Sequence, residues 1–404
     1  MTYAQLTRFI LPLVLTALVQ ELSGQFLIGG MARMPRATET LAAFGLAFGI
    51  ASLLSGILTQ ARQLSLVLVE HEQGYRTVFR FGIIAGIALS AVLALCALTP
   101  LGGWLIGDLH GIDPALTDVV LLAFLWLIPY PFLRGLTRIY IGTLLRIRRS
   151  EIPAYGTTAG ISLSILTVFA LLPVDFVQRD PILLPVLATY AGVLTELAVV
   201  IWGHSRHVRF PPQDDAPSLE MAYVVRFFWP LALIMAVQSG TRPLINIFVA
   251  RAVDGTEALA VLTIVYALGH IPYGWLNEVR NLPTAFREAN NLAKIRRFIF
   301  GCGAFSFVWM AAIVWTPVAN YILQTWIGIS PELAMHCLIP LSIFCGFPIV
   351  VSLRSYIHGI GLLHHRTQAM APSAPSRVAT VILVLSALSS VDLHGATRAT
   401  IALL

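Results

Sequence analysis

The residues of this sequence that could do chemistry are charged and amide side chains lying inside long apolar runs. Arg134 and Arg138 stand four residues apart, as do Arg354 and His358, so each pair shares one face of a helix. Arg242 lies in another apolar run near Gln238 and Asn246, and Glu21 sits mid-run with Gln20 and Gln25 nearby. Glu196 and Glu278 are the acidic residues set against these cations. An ionisable group at the centre of a membrane span costs about 3 kcal/mol on insertion scales, so each should face a partner or a cavity. The embedded charge is net basic, and the planar guanidinium fork suits carboxylate and phosphate groups. This pattern predicts binding of a small anionic solute, with Arg134, Arg138, Arg242 and Arg354 as the main contacts and Gln238, Asn246 and His358 beside them. Glu21 and Glu196 are candidates for gating or for coupling to a proton or cation, and the sequence does not select the ion.

Several of these residues also fit structural readings. Arg138 and Arg354 suit either substrate contact or an interhelical salt bridge, such as one to Glu196. Arg62 and Arg280 read as structural, placed near cytoplasmic helix ends where a cation complements the dipole and snorkels to headgroups. Glu39 and Glu257 fall at helix N-termini, where a carboxylate is favoured. The segment Gly269-His270-Ile271-Pro272-Tyr273-Gly274-Trp275 interrupts an apolar run with a proline flanked by glycines. It fits a broken helix whose carbonyls face protein or a water-filled cavity, which makes His270, Pro272 and Tyr273 gating candidates. It equally fits a proline kink with Tyr273 and Trp275 in an interfacial aromatic belt.

The elements that must position these residues are membrane spans. Of the 404 residues 57% are hydrophobic and 11% charged, against about a quarter charged in an average soluble domain, which excludes a water-soluble globule. The formal charge of +6 comes from arginine clusters between apolar runs, a pattern of membrane topology and not of nucleic-acid binding. Cys96, Cys302, Cys337 and Cys345 form no C-x-x-C pair, so neither a disulfide framework nor a zinc site is predicted, and no cofactor or metal is called for. A hydrocarbon core of about 30 Å takes about 20 apolar residues per helix. Eleven spans fit, beginning near Phe9, Leu41, Phe79, Thr117, Tyr155, Ile182, Phe227, Ala258, Phe298, Cys337 and Arg377. The first is too long for a cleaved signal peptide and is read as retained. Arginine and lysine concentrate in the loops after the second, fourth, sixth, eighth and tenth spans, for example Arg146, Arg148 and Arg149, then Arg287, Lys294, Arg296 and Arg297. This bias places the N-terminus in the cytoplasm of a multi-pass integral membrane protein.

The sequence also repeats. A shift of 218 pairs Arg8 with Arg226, Pro12 with Pro230, Gln20 with Gln238, Glu39 with Glu257 and Arg62 with Arg280. A shift of 217 then pairs Pro131 with Pro348, Gly142 with Gly359 and Val174-Asp175 with Val391-Asp392. Six spans per copy is an even number, so both copies point the same way, in parallel pseudo-two-fold repeat. The expected fold is all-α and polytopic: an N-terminal six-helix lobe over residues 1–203, a cytoplasmic linker over 204–220, and a C-terminal lobe over 221–404. The repeat leads one to expect a twelfth span, partner of the sixth, that would start near residue 399 and is missing. Glu21 and Arg242 favour a functional reading because their repeat positions hold Ser239 and Gly24.

Phe228-Trp229-Pro230-Leu231-Ala232-Leu233-Ile234, Arg242-Pro243-Leu244-Ile245-Asn246 and Gly269-His270-Ile271-Pro272-Tyr273-Gly274-Trp275-Leu276 resemble the progressive ankylosis protein family, as do the stretch from Pro12 to Val67 and His394-Gly395-Ala396-Thr397. The resemblance implies a fold like that of the multidrug/oligosaccharidyl-lipid/polysaccharide exporter superfamily, with twelve helices in two lobes around a central cavity. It also implies alternating-access export of small anions such as citrate, pyrophosphate or nucleotides like ATP. Short loops and the lack of a charged cytoplasmic tail suggest a prokaryotic member in a bacterial inner membrane, truncated before the last helix. Rival readings are a cation-coupled drug exporter, a lipid-linked oligosaccharide flippase, and a nonfunctional truncated remnant. A membrane enzyme is disfavoured, since no H-E-x-x-H or G-x-S-x-G motif is present.

Overall fold

The computed structural model describes residues 1–404 except 109–112, 211–217, 251–254, 290, 327–328 and 392, and excludes the side chains of 21–23, 25, 38, 242–243, 247, 250, 255–256, 267, 289 and 326. The side chains of Glu21 and Arg242 therefore lie outside the described residues, as do Arg251 and Asp392. Among the described residues every regular element is helical. The helices are α1 (Tyr3–Met31), α2 (Ala37–Leu58), α3 (Ala61–Leu68), α4 (Glu72–Leu98), α5 (Pro114–Leu127), α6 (Tyr130–Arg146), α7 (Glu151–Leu171) and α8 (Leu183–His207). They continue with α9 (Met221–Ala250), α10 (Gly255–His270), α11 (Leu292–Val314), α12 (Pro331–Phe344), α13 (Phe347–Leu363), α14 (Ser373–Leu388) and α15 (Gly395–Leu403). Among the described residues ten stretches are long and apolar enough to cross a membrane, and an eleventh is α10 with the following Gly274–Ala285, bent by 43°.

Local chemistry sets where these helices start. Asp113 accepts a hydrogen bond from the Leu116 amide, 3.0 Å, with Pro114 at the first helical position of α5. Ser330 accepts from the Leu333 amide, 3.3 Å, with Pro331 opening α12. These two cap-proline pairs are 217 residues apart, the repeat distance read from the sequence. The second span of each copy is also broken, at Thr59-Gln60 between α2 and α3 and at residues 271–273 after α10. In the sequence only the second of these breaks is marked by proline.

By contact the chain forms two compact units, Leu11–Ala232 and Leu233–Leu404, the latter together with Met1–Ile10. In the Leu11–Ala232 unit, Ala43, Ala47 and Ala51 repeat every four residues and form a flat, fully buried face of α2. Against it pack Val120, Phe124 and Leu127 of α5, with Leu93 of α4 and Ile106. Lipid is as apolar as these side chains, so the packing is held by close van der Waals fit. Large side chains such as Ile84, Ile87, Leu95 and Leu98 of α4 point outward, as lipid-facing residues should.

The first ten residues belong with Leu233–Leu404 for identifiable reasons. Tyr3 stacks on Phe298 with ring centroids 6.3 Å apart, and Phe9 meets Phe286 edge-on at 5.6 Å. Lys294 donates to the Met1 carbonyl at 3.0 Å and lies 4.9 Å from the Tyr3 ring centre.

One expectation is corrected at this level. Arg62 does not snorkel to headgroups: it is 9% exposed, and it opens α3 instead of closing a helix. All eight residues of α3 are buried. They pack on α6, where the Arg62 carbonyl lies so close to Gly142 that a Cβ would collide with it. The repeat of this contact is Gly359 of α13, whose Cβ would sit 2.7 Å from the Arg280 carbonyl.

Candidate functional site: two buried polar clusters

Each unit carries a secluded polar cluster. In the Leu11–Ala232 unit, Arg134 of α6 makes a 2.6 Å ion pair with Glu196 of α8, and Thr157 of α7 donates to the other carboxylate oxygen at 2.9 Å. The pair is secluded, with the side chains 18% and 5% exposed. Thr157 reaches Glu196 because α7 and α8 approach closely: a Cβ on Gly160 would lie 2.5 Å from the Gly192 carbonyl, and one on Gly156 3.3 Å from the Glu196 carbonyl. Gly156 and Gly160 form a G-x-x-x-G face on α7. That spacing is a sequence signal from which this helix pair, and hence Thr157, could have been found, and reasoning from charged residues passed it over.

The sequence offers Glu196 as a salt-bridge partner for Arg138 or Arg354 and reads Arg134 as a substrate contact, whereas the hydrogen-bonded partner of Glu196 is Arg134. A charge-assisted bond at this distance neutralises both groups. Arg138, one turn further along α6, is half-buried and within electrostatic reach of the same carboxylate.

In the Leu233–Leu404 unit, Arg354 of α13 donates to the Asn277 side-chain oxygen at 2.7 Å. Its neighbours in electrostatic reach are Arg377 of α14 and the Tyr273 hydroxyl. His358, four residues on and buried, lies within reach of Arg354 and Arg280. Asn277 sits on a 3-10 helix, Gly274–Asn281, which exists because the preceding span breaks at residues 271–273. Asn281 donates to Glu278 at 2.9 Å.

The break itself is satisfied by protein. The Pro272 carbonyl accepts from the Trp275 indole at 2.9 Å and from the Ser306 hydroxyl of α11. Tyr273 and Trp275 are buried, at 8% and 7% exposure, which removes them from an interfacial belt. The His270 and Tyr273 rings meet at 5.3 Å, nearly perpendicular. On α9, Gln238 is half-buried and Asn246 exposed. The structure thus brings Arg134 together with Glu196, and Arg354 with His358 and the 271–273 break, one group in each unit.

Comparison with known proteins agrees with this architecture. The family model described as Progressive ankylosis protein (ANKH) matches residues 1–316. Among solved structures, an outward-facing multidrug resistance MATE family transporter of the MOP superfamily aligns with TM-score 0.76 at 16% identity, over 99% of this chain and 91% of that one. A Vibrio cholerae MATE transporter aligns with TM-score 0.76 at 14% identity, over 100% and 92%. A MOP superfamily transporter from Pyrococcus furiosus, described as having a binding pocket of reverse polarity, aligns with TM-score 0.73 at 15% identity, over 99% and 91%. These likenesses establish the fold as that of MATE-like transporters and the chain as a multi-pass integral membrane protein.

Proposed function

Because the chain belongs to the progressive ankylosis protein family and is a membrane transporter of MATE-like fold, we propose that it exports small organic or phosphorylated anions, such as citrate, pyrophosphate or a nucleotide, by alternating access through a basic cavity. The observation that carries this reading is the unlike treatment of two half-buried arginines. Arg134 has a carboxylate partner, whereas the hydrogen bond of Arg354 goes to the neutral amide of Asn277. A guanidinium held by an amide keeps its full charge, and Arg354 lies within electrostatic reach of a second guanidinium, Arg377. Such a concentration of positive charge in a low-dielectric setting favours an anion that would relieve it.

On this reading Arg354 and His358, with Arg138 and Arg242, bind the anion, and Gln238 and Asn246 supply further hydrogen bonds. Arg134 holds α6 to α8 through Glu196 and positions Arg138. His270, Pro272 and Tyr273 act at the bend as a gate, and Glu21 is a site for the coupling ion. The N-terminus is placed on the cytoplasmic side by the loop charges.

The test is accumulation of labelled citrate, pyrophosphate and ATP by inside-out vesicles containing the chain. The triple variant R138Q/R242Q/R354Q should lose at least about ten-fold, since a hydrogen bond to a charged group contributes about 1.5–3 kcal/mol. Equal accumulation by wild type and variant, at equal amounts of folded protein, refutes the anion-binding role.

A further inference from the structure

A third polar cluster, made of other residues than the proposed transport site, lies at the end of α10 opposite the 271–273 break. Glu257 in the first turn of α10, His336 near the start of α12 and His394 capping α15 come together although the sequence separates them widely. One donor atom of each lies within 4.8 Å of the other two. The two imidazoles stack, centroids 4.7 Å apart and 19° from parallel, so that both Nε2 atoms approach the same carboxylate oxygen. From Glu257 Oε1 the distances are 3.5 Å to His336 Nε2 and 3.9 Å to His394 Nε2.

Those separations are too long for good hydrogen bonds, which fall at about 2.7–3.2 Å. They are close to what a shared metal ion requires. Ligands held about 2.0–2.2 Å from a tetrahedral ion stand about 3.3–3.6 Å from one another. Two imidazoles and one carboxylate, with a fourth position open to water, are a donor set suited to Zn2+ and its borderline neighbours. Access is available, since the His336 and Glu257 side chains are 47% and 48% exposed.

The repeat supplies an internal control. The positions of the first copy that correspond to Glu257, His336 and His394 are Glu39, Val119 and Val177. There Glu39 lies 3.8 Å from Arg36, and Val177 is buried in a small apolar core with Met34 and Leu184. The fold therefore closes this corner without histidine, so the histidines of the second copy are not needed for packing.

We propose that Glu257, His336 and His394 form a binding site for a divalent transition-metal ion, Zn2+ or one of similar preference, which ties together the starts of α10, α12 and α15. The site goes beyond the transport reading and does not depend on it. His394 Nδ1 accepts from the Ala396 amide at 3.3 Å, which places the proton of the neutral ring on Nε2. Binding an ion at Nε2 moves that proton to Nδ1, at the loss of a contact near the long limit of a hydrogen bond. No proton is released in the exchange.

The test is titration of the full chain, purified in detergent, with Zn2+ after chelator treatment, read by calorimetry and by the shift in the thermal midpoint of tryptophan fluorescence. One Zn2+ per chain is expected, together with a raised midpoint that EDTA reverses. H336Q and H394Q should each weaken binding at least about ten-fold, a loss that even outer-shell changes can produce. H336Q alters a half-exposed side chain, so its metal-free midpoint should equal that of the wild type, which separates lost ligation from lost folding. An H336Q/H394Q variant that binds Zn2+ as tightly as wild type overturns the site, as does wild-type protein that takes up none in excess Zn2+.

Discussion

The Arg134–Glu196 pair should behave as a unit whose halves cannot be removed singly without loss. Glu196→Gln leaves a guanidinium 18% exposed with no carboxylate, and it weakens the bonds at 2.6 Å and 2.9 Å that converge on residue 196. Breaking a buried pair from one side costs about 3–5 kcal/mol in soluble proteins. The cost here should be nearer 2–3 kcal/mol, because the residual exposure lets Arg134 recruit water and because polar groups also find partners in the membrane-unfolded state. For a unit spanning residues 11–232 that corresponds to a fall of about 5–10 °C in the thermal midpoint. Thr157→Val removes only one hydrogen bond to the carboxylate and should cost about 1.5 kcal/mol. R134M/E196M removes both charges and should recover most of the loss, because apolar replacement of an entire buried pair is often neutral. The buried Cys96, which lies in the same unit, supplies the assay: a thiol-reactive fluorophore reports its exposure on heating, in a background where Cys302, Cys337 and Cys345 are serine. The reasoning fails if E196Q melts with the wild type, or if the double replacement is as destabilised as the sum of the single ones.

Three further outcomes follow from the same geometry. Asn277→Asp gives Arg354 the carboxylate that it lacks, and should cut anion accumulation in vesicles at least about ten-fold while leaving the melting midpoint unchanged or higher, since it creates a short ion pair from a 2.7 Å hydrogen bond. Gly359→Ala places a methyl group 2.7 Å from the Arg280 carbonyl and 2.8 Å from Pro283, so the Leu233–Leu404 unit should lose about 1–3 kcal/mol, measured by exposure of Cys337 and Cys345 on heating. Ser306→Ala removes one of the two donors to the Pro272 carbonyl and should lower the same midpoint by about 1 kcal/mol equivalent, with the Trp275 bond kept.

Much of this protein is legible in one dimension because a membrane imposes simple rules. Span length, the arginine bias of alternate loops and the repeat at 217–218 residues are properties of order and spacing, and they yielded the eleven apolar spans, counting the bent pair as one, while the proline after His270 left a break and a kink equally open. The net basic content of those spans was equally visible, since a charge in an apolar run stands out wherever it points. Partners were not. Arg134 and Arg138 share a face, so helical periodicity offers both to Glu196, and only the way α6 packs on α8 selects Arg134. The break at Thr59-Gln60 carries no proline, and it is the docking of α3 on α6 that buries Arg62 where an exposed helix end was expected. Glu257, His336 and His394 follow no motif spacing at all, and they meet only because three helices begin at one corner. A sequence sets the direction in which each helix presents a side chain, whereas the identity of what stands opposite depends on helix-to-helix packing, decided by backbone contacts at glycine and by apolar fit.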